Sequence, residues 1–299
     1  MKQKRKVLLT GGSGFIGRNI LGSFLVDKYR IIAPSHAELD LANDEIVRDF
    51  FKKDKFDAVI HSAIKPGHRN AKDPANLFYA DSRIFFNLVR NAGAFDRLIV
   101  LSSGSVYDMM RQDLRKVGED HFDTIMPVDE HGFFRYVSAK FMEHMDRVAE
   151  LRIFGLFGKY EDYSIRFVSN AICKTVHDLP ITIKQDRMFD FLYIDDLMPV
   201  LDHFMQSRRF NHNAYNVTPD NAISLYRVAE KVREISGKDL PIVVGRPGMA
   251  SEYSGNNSRL REEMRGLELH DIDEAIAKLY GWYFENKNLI DRDLLLFDK

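Results

Sequence analysis

Short apolar segments alternate with amphipathic segments up to about residue 160, and this alternation restricts the fold more than any other feature of the chain. Segments such as "KVLLT", "DAVIHSA" and "DRLIVLSS" predict strands, and stretches between them, including "NDEIVRDFFKKD", predict helices. Apolar strands separated by helices form parallel sheets that are covered on both faces. The sequence therefore predicts an α/β fold with a doubly wound parallel sheet, which binds ligands at the carboxyl ends of its strands.

The pattern becomes less regular in the second half of the chain, and this change predicts two lobes. We expect residues 1–165 to form a dinucleotide-binding Rossmann domain to which residues 189–212 return. Residues 166–188 and 213–299 are expected to form a smaller C-terminal α/β lobe that binds the substrate.

One connection in the first lobe is unusually short. The predicted helix of residues 134–150, which contains Lys140, leads directly into the predicted strand that contains Arg152, with almost no room for a turn. We therefore expect a tight connection at this point of the fold.

Charge and composition exclude several classes of partner. The net charge of −1 favours neither nucleic acid nor an anionic membrane surface. The single cysteine, Cys173, excludes an internal disulfide and is typical of a reducing compartment. The apolar run Val7–Leu9 is too short for a signal peptide, and no segment is long enough to span a membrane. These features predict a cytoplasmic protein.

A glycine-rich turn, "TGGSGFIG", follows the first predicted strand and opens a helix. Gly11 permits the sharp turn, Gly14 lets the backbone approach a pyrophosphate, and Gly17 lets the helix pack on the strand. This turn predicts a dinucleotide site, whose further contacts we expect from Ser13, Phe15, Ile16 and Arg18.

The spacing of these glycines resembles that of the extended branch of the short-chain dehydrogenase/reductase superfamily, which acts mostly on nucleotide-linked sugars. The similarity covers nearly the whole chain and implies an enzyme of that type. Seven ordered blocks carry it: "TGGSGFIG" at 10–17, "AELDLAN" at 37–43, "DAVIHSA" at 57–63, "VLSSGSVY" at 100–107, "YVSAK" at 136–140, "RIFGLFG" at 152–158 and "FDFLYIDDL" at 189–197.

The resemblance implies a catalytic triad of Ser103, Tyr136 and Lys140. A tyrosine has a pKa near 10, and a neighbouring ammonium group lowers that pKa toward neutrality. Tyr136 is then expected to exchange a proton with the substrate oxygen while hydride moves at carbon. Ser103 is expected to hydrogen-bond to the same oxygen, and Lys140 to hold the nicotinamide ribose as well.

The cofactor is expected to be NADP, with NAD as the alternative. Residues 33–36, at the end of the second predicted strand, contain no carboxylate that would repel a 2′-phosphate. Ser35, His36 and Arg18 offer hydrogen-bond donors or positive charge there. By family position, Asp40 and Leu41 are expected to line the adenine, and Ala63 the cofactor ribose.

The absence of catalytic residues that related enzymes carry reduces the number of reactions expected of this chain. Related dehydratases carry an Asp-Glu pair after the catalytic Ser or Thr, whereas Gly104 and Ser105 follow Ser103 here. Ser105 also replaces the cysteine used by the enzymes that epimerise carbons 3 and 5 on the route to GDP-fucose. Three interpretations remain: a reductase of a nucleotide-linked 4-keto sugar, a 4-epimerase with tightly bound NAD, and a non-catalytic dinucleotide-binding regulator. We favour the reductase.

Candidate ligands for the nucleotide-sugar substrate are arginines, because their guanidinium groups pair well with diphosphates. Arg187, Arg246 and Arg259 are the candidates. The adjacent Asp195 and Asp196 are expected to cap a helix N-terminus rather than to bind metal, and we predict no catalytic metal.

The resemblance also implies an oligomer. Many relatives form homodimers through two helices per subunit, and the matching helices here begin near Ala75 and Phe134. A homodimer is therefore expected.

Overall fold

A computed structural model of the chain describes residues 4–66, 75–207 and 209–296. Its strands are β1 (Lys6–Thr10), β2 (Arg30–Ile32), β3 (Ala58–His61), β4 (Leu98–Ser103), β5 (Leu114–Val117), β6 (Val148–Ile153), β7 (Leu156–Phe157), β8 (Ile181–Asp186), β9 (Met188–Phe189), β10 (Leu192–Tyr193), β11 (Ala214–Val217), β12 (Ile223–Ser224), β13 (Ile242–Met249) and β14 (Tyr253–Gly255). Its α-helices are α1 (Phe15–Leu21), α2 (Leu25–Lys28), α3 (Asp44–Lys53), α4 (Leu77–Val89), α5 (Glu130–Met142), α6 (Phe167–Val176), α7 (Ile194–Gln206), α8 (Leu225–Ser236), α9 (Ser258–Glu263) and α10 (Ile272–Glu285).

The central element is a parallel sheet in the order β11-β6-β4-β3-β1-β2. The chain places β2 on one side of β1 and β3 on the other, so the direction of winding reverses beside β1. This arrangement confirms the predicted doubly wound α/β fold. It also places the carboxyl ends of β1, β3 and β4 side by side, next to the point where such sheets bind ligands.

Alternate residues of the central strands enter two separate cores. Val7 and Leu9 pack in the core on one face of the sheet, and Leu8 packs in the core on the other face. All three side chains are fully buried. Because helices cover both faces, the strands are continuously apolar rather than alternating, as the sequence pattern indicated.

The connection between α5 and β6 is longer than the sequence predicted, because the helix ends earlier than expected. Residues 148–150, which we expected to be helical, form the first part of β6. Residues 143–147 make the whole connection, and Arg147 adopts a left-handed conformation with φ of 58° before the strand begins. Helix α5 is therefore limited to Glu130–Met142.

One segment in the second half of the chain belongs to the main sheet and not to the smaller lobe in which we expected it. Residues 214–217, expected in the smaller lobe, form β11 and pair in parallel with β6 at the edge of the main sheet. Helices α6, α8 and α10 pack against one another, and β8 pairs with β13 beside them. Apart from β11, the two-lobe division remains a proposal.

None of the helices in the described ranges is long and apolar enough to cross a membrane.

Candidate active site

Buried polar side chains mark the carboxyl edge of the sheet next to the glycine turn. The Thr10 Oγ1 atom lies 2.9 Å from the His61 Nδ1 atom and accepts hydrogen bonds from the amides of Ser62 and Ala63. Burial, followed by the charge of Arg135, lowers the pKa of His61 to about 3. His61 is therefore neutral at pH 7, and its Nδ1 atom can accept the hydrogen bond from the Thr10 hydroxyl.

The glycine turn has the geometry that a dinucleotide site requires. Gly11 has a φ of 73°, and a Cβ atom there would lie 2.9 Å from the Ala63 nitrogen. A Cβ atom on Gly17 would lie only 2.2 Å from the Gly11 oxygen, so this helix packs closely on the turn. Ser13 and Gly14 are exposed, and a Cβ atom on Gly14 would meet only the Gly11 oxygen, at 3.4 Å. The outer face of the turn is therefore open to a pyrophosphate.

The end of β2 carries a carboxylate that our sequence reasoning missed. The amide and the hydroxyl of Ser35 both donate hydrogen bonds of 2.8 Å to the Glu38 carboxylate. The Ser35 amide is the largest cause of the lowered pKa of Glu38, so this group is ionised at neutral pH. We considered only residues 33–36, where no carboxylate occurs, because the loop that folds Glu38 back was not evident from the sequence.

Arg18 and His36, the expected sources of positive charge, have other neighbours. The Arg18 guanidinium carbon lies 3.7 Å from the centre of the Tyr160 ring. The Nδ1 atom of His36 lies 3.9 Å from an oxygen of Asp40. Their roles in binding a 2′-phosphate remain predictions.

The remaining cofactor candidates have mainly structural contacts. Asp40 accepts a hydrogen bond from the Ala42 amide, and the buried Leu41 accepts one through its carbonyl from Asn87. Phe15 and Ile16 are half-buried against the core on the α1 side of the sheet. Their roles in cofactor binding remain predictions.

Ser103 lies at the carboxyl end of β4, as predicted, and its hydroxyl has two neighbours. The hydroxyl accepts a hydrogen bond of 3.2 Å from the Ser105 amide and lies beside the phenol of Tyr253, whose pKa it lowers. Tyr253 is buried between the rings of Phe154 and Phe189, with centroid distances of 4.8 and 4.9 Å. Burial is the main cause of the raised pKa of Tyr253. No sequence motif linked Tyr253 to Ser103.

Tyr136 and Lys140 have a different setting from the one that we predicted. The Tyr136 hydroxyl donates its hydrogen bond to Asp123, and the Lys140 Nζ atom lies 3.1 Å from Asp123 and 2.6 Å from Glu143. The hydrogen bond to Asp123 raises the pKa of Tyr136, whereas the predicted chemistry requires a lowered pKa.

Tyr136 also packs against an aromatic side chain that contacts β6. Phe122 contacts the Tyr136 ring at a centroid distance of 5.4 Å, and the Arg152 guanidinium of β6 lies 4.5 Å from the same Phe122 ring. In the described residues, Tyr136 and Lys140 are thus paired with the segment before α5, and this setting does not support the predicted role, which stays an untested prediction.

The three candidate arginines for the substrate are dispersed. Arg187 is half-buried near Tyr253, and its Nε atom has no hydrogen-bond partner in the described part of the chain. Arg246 is exposed on β13, in register with Gln185 of β8. Arg259 forms ion pairs with Glu119 and Asp120, which offset its charge. Only Arg187 is thereby associated with the Ser103 edge.

The acidic pair at the start of α7 also has a structural setting. Asp195 and Asp196 both lie in the first turn of the helix. The carboxylate of Asp196 is buried and accepts hydrogen bonds from the amide and the ring of His270. Among the residues with assigned positions, no group of three or more His, Cys, Asp or Glu side chains could hold a metal ion.

Comparison with known proteins agrees with this geometry. Residues 7–218 match the model of the NAD dependent epimerase/dehydratase family. The chain is 23% identical to GDP-L-colitose synthase of Yersinia pseudotuberculosis over 95% of its own length and 99% of that protein. Two solved structures share its fold. GDP-mannoheptose C4 reductase of Campylobacter jejuni with NADP bound has a TM-score of 0.79 and 19% identity, over 95% of this chain and 99% of that one. UDP-glucose 4-epimerase of Thermotoga maritima with UDP-glucose has a TM-score of 0.77 and 16% identity, over 95% of this chain and 100% of that one.

The match to the family model covers more than half of the chain and includes the glycine turn and the end of β4. This chain therefore belongs to the NAD dependent epimerase/dehydratase family and is an enzyme of the extended short-chain dehydrogenase/reductase type.

Proposed function

We propose that the protein reduces a nucleotide-linked 4-keto sugar with NAD(P)H. The observation that carries this proposal is the position of Ser103, beside Tyr253, at the carboxyl end of β4, on the same sheet edge as the open face of the glycine turn. A hydroxyl beside a dinucleotide site can hold the carbonyl oxygen that gains a proton during reduction. Gly104, the residue after Ser103, offers no acid or base for a dehydration.

Each group in the proposed site has its own role in binding or catalysis. The backbone between Gly11 and Gly17 receives the pyrophosphate, and Ser103 donates a hydrogen bond to the sugar oxygen. Tyr253 and the Ser105 amide hold the Ser103 hydroxyl in one orientation. The bound nicotinamide supplies or accepts the hydride.

Arg187 is the proposed ligand for the substrate diphosphate. It is half-buried beside Tyr253, and burial lowers its pKa only from a value far above neutrality, so it keeps its charge. Its unpartnered Nε–H group can donate to a phosphate oxygen. The relatives named above as a GDP-colitose synthase and a GDP-mannoheptose reductase favour a GDP-linked sugar.

A 4-epimerase with bound NAD is the second candidate, because Glu38 favours it. A carboxylate at the end of β2 suits the two ribose hydroxyls of NAD and repels the 2′-phosphate of NADP. The epimerase would oxidise and re-reduce the same sugar carbon without net consumption of cofactor.

We also propose a homodimer formed through α4 and α5. These helices pack together and share the ring pairs Phe78–Phe133 and Phe86–Phe141. Tyr79 and Phe141 remain exposed on this side, at 61% and 42%. Light scattering at several concentrations tests this proposal, and a monomeric mass throughout would refute it.

A substrate screen tests the function. Purified protein is mixed with GDP-, UDP- or dTDP-linked 4-keto sugars and NADPH or NADH, and absorbance at the nicotinamide band is followed. Consumption of added reduced cofactor with one sugar supports the reductase. Protein that retains NAD on purification and converts a 4-hydroxy sugar without added cofactor supports the epimerase instead. Cofactor binding without turnover of any of these sugars would refute both.

A further inference from the structure

Helix α5 carries two pairs of side chains with the same spacing, His131 with Arg135 and Tyr136 with Lys140. Members of each pair lie on one face of the helix, one turn apart. The second pair begins five residues after the first, which rotates it by roughly 140° around the helix axis at 3.6 residues per turn. The two pairs therefore cannot face the same neighbour, and the packing of α5 decides which pair faces the sheet.

Burial along α5 selects the first pair. Arg135 is only 5% exposed, whereas the Lys140 side chain is 38% exposed and ion-paired at the surface. The buried face also contains Gly132, Phe134, Ser138, Ala139 and Met142. Helical spacing places Arg135 near the centre of this face and His131 one turn before it.

Arg135 reaches the strand that ends at Ser103. Its Nη1 atom donates a hydrogen bond of 3.1 Å to the carbonyl of Leu101 in β4. The buried carboxylates of Asp81 in α4 and Glu150 in β6 act on its charge. The guanidinium thus lies beneath α5, against the carboxyl-terminal part of the central strands.

Three atoms of this cluster are buried without a hydrogen-bond partner in the ranges that the structure describes. They are the Arg135 Nε atom, a donor, and two acceptors, the Asp81 Oδ2 and Glu150 Oε1 atoms. The other Asp81 oxygen accepts a hydrogen bond of 2.6 Å from the Lys65 amide. Buried polar groups without partners are costly, and a ribose carries hydroxyls that can both accept from Arg135 and donate to Asp81.

His131 lies where the first turn of α5 meets the residues after Ser103. A Cβ atom on the next residue, Gly132, would be 3.1 Å from the Ser105 carbonyl oxygen. The charged groups that act on His131 are Arg135 on its own helix, Asp129 at the helix cap and Arg166 at the start of α6. Burial and then Arg135 lower the pKa of His131 to about 4. The side chain is half-buried, so solvent can exchange protons with it.

We propose that His131 and Arg135 occupy the two α5 positions beside the reacting centre, with Arg135 binding the nicotinamide ribose together with Asp81 and His131 transferring the proton. This inference rests on the proposed reductase function. In the reduction, the sugar carbonyl carbon gains hydride from the reduced nicotinamide, which is thereby oxidised. The carbonyl oxygen takes a proton from the His131 imidazolium, which becomes neutral imidazole and is reprotonated by solvent.

The test compares both pairs on the same helix in the full chain. The variants are R135Q, R135K and H131N, with Y136F and K140Q as matched controls. Titration calorimetry measures the Kd of NADP and NAD, and steady-state kinetics measure kcat and KM with the sugar identified by the screen. We expect R135Q to weaken dinucleotide binding at least tenfold and H131N to lower kcat at least 100-fold with an unchanged dinucleotide Kd. Both controls should stay within twofold of the wild type.

The pH profile gives a second readout for His131. Because the reduction needs the imidazolium and the pKa is about 4, kcat/KM should rise about tenfold for each unit that the pH falls between 8 and 5. This dependence should be absent in H131N. If R135Q does not fold, R135K decides, because it keeps the charge but loses the Nε donor, and we expect its dinucleotide Kd to rise about fivefold.

The possible outcomes separate this inference from the proposed function. A wild type that binds dinucleotide but reduces no sugar refutes the function, and the Kd values of R135Q and K140Q still decide the role of Arg135. In that case, the His131 ring resonances in NMR, assigned with H131N, should shift on addition of NADP. Loss of dinucleotide binding in K140Q would overturn the inference. Loss of activity in Y136F, combined with wild-type activity in H131N, would also overturn it. No dinucleotide binding by the wild type would overturn it as well.

Discussion

The phenol of Tyr253 lies beside the hydroxyl of Ser103, although the two residues come from opposite halves of the chain. Gly104 permits this contact, because a Cβ atom there would lie 2.6 Å from the Tyr253 hydroxyl and closer still to Phe154. The side chain at the end of β4 is thereby oriented by a residue from β14, so the two strands act together in the proposed site.

The Tyr253→Phe substitution tests this contact. Loss of one hydrogen bond costs about 1 kcal/mol, which corresponds to about a fivefold fall in kcat/KM. The melting temperature should change little, because the ring still packs between Phe154 and Phe189. Replacement of the exposed Tyr226 by Phe provides the control. An unchanged kcat/KM in Tyr253→Phe would show that Ser103 needs no such partner.

The Gly17→Ala substitution tests the close packing of the glycine turn. The added Cβ atom would lie 2.2 Å from the Gly11 oxygen, so the turn or the helix must shift. We expect a loss of about 1–3 kcal/mol in the free energy of unfolding and at least tenfold weaker dinucleotide binding. Gly93→Ala is the control, because its Cβ atom would meet no atom within 4 Å. Equal stability of the two variants in denaturant titrations would contradict the packing argument.

The Glu38→Gln substitution tests cofactor choice. Its carboxylate is held by Ser35 in the loop after β2, where, in the proposed cofactor site, it would repel a 2′-phosphate. Removing this surface charge would weaken the repulsion of such a group. Calorimetry should therefore show the ratio of NADP to NAD affinity rising about fivefold. A ratio that stays constant would mean that Glu38 lies away from the adenosine ribose.

His61 provides a prediction for stability against pH. Its pKa of about 3 in the folded protein lies below the ordinary value of 6.5, so the unfolded chain binds a proton that the folded protein excludes. This group therefore removes stability as the pH falls from 6.5 toward 3. The Asn side chain of His61→Asn can still accept a hydrogen bond from Thr10. Between pH 7 and 5, the melting temperature of this variant should fall less than that of the wild type.

The exposed His144 supplies the comparison for that measurement. His144→Asn should follow the wild-type pH dependence. If His61→Asn and the wild type lost the same melting temperature on acidification, burial of a neutral His61 would not be the cause.

The sequence by itself determined the layers of this protein and the turn that begins its site. Continuous apolar runs such as Val7–Leu9 can be satisfied only in a sheet covered on both faces, and close packing makes Gly17 necessary wherever this turn occurs. The position of Ser103 followed from its place at the end of a strand. These features depend on neighbours in the chain, so periodicity and turn chemistry were enough to predict them.

Only the tertiary structure decided which side chains of α5 are buried against the sheet. His131 with Arg135 and Tyr136 with Lys140 have identical spacing, and the helix phase depends on which face is buried against the sheet. The sequence motif favoured the second pair. In the folded chain, however, Arg135 is buried, and Lys140 is exposed and forms an ion pair with Asp123. The contacts of Ser103 with Tyr253 and of Ser35 with Glu38 likewise depend on how distant strands and loops are brought together, which no local pattern encodes.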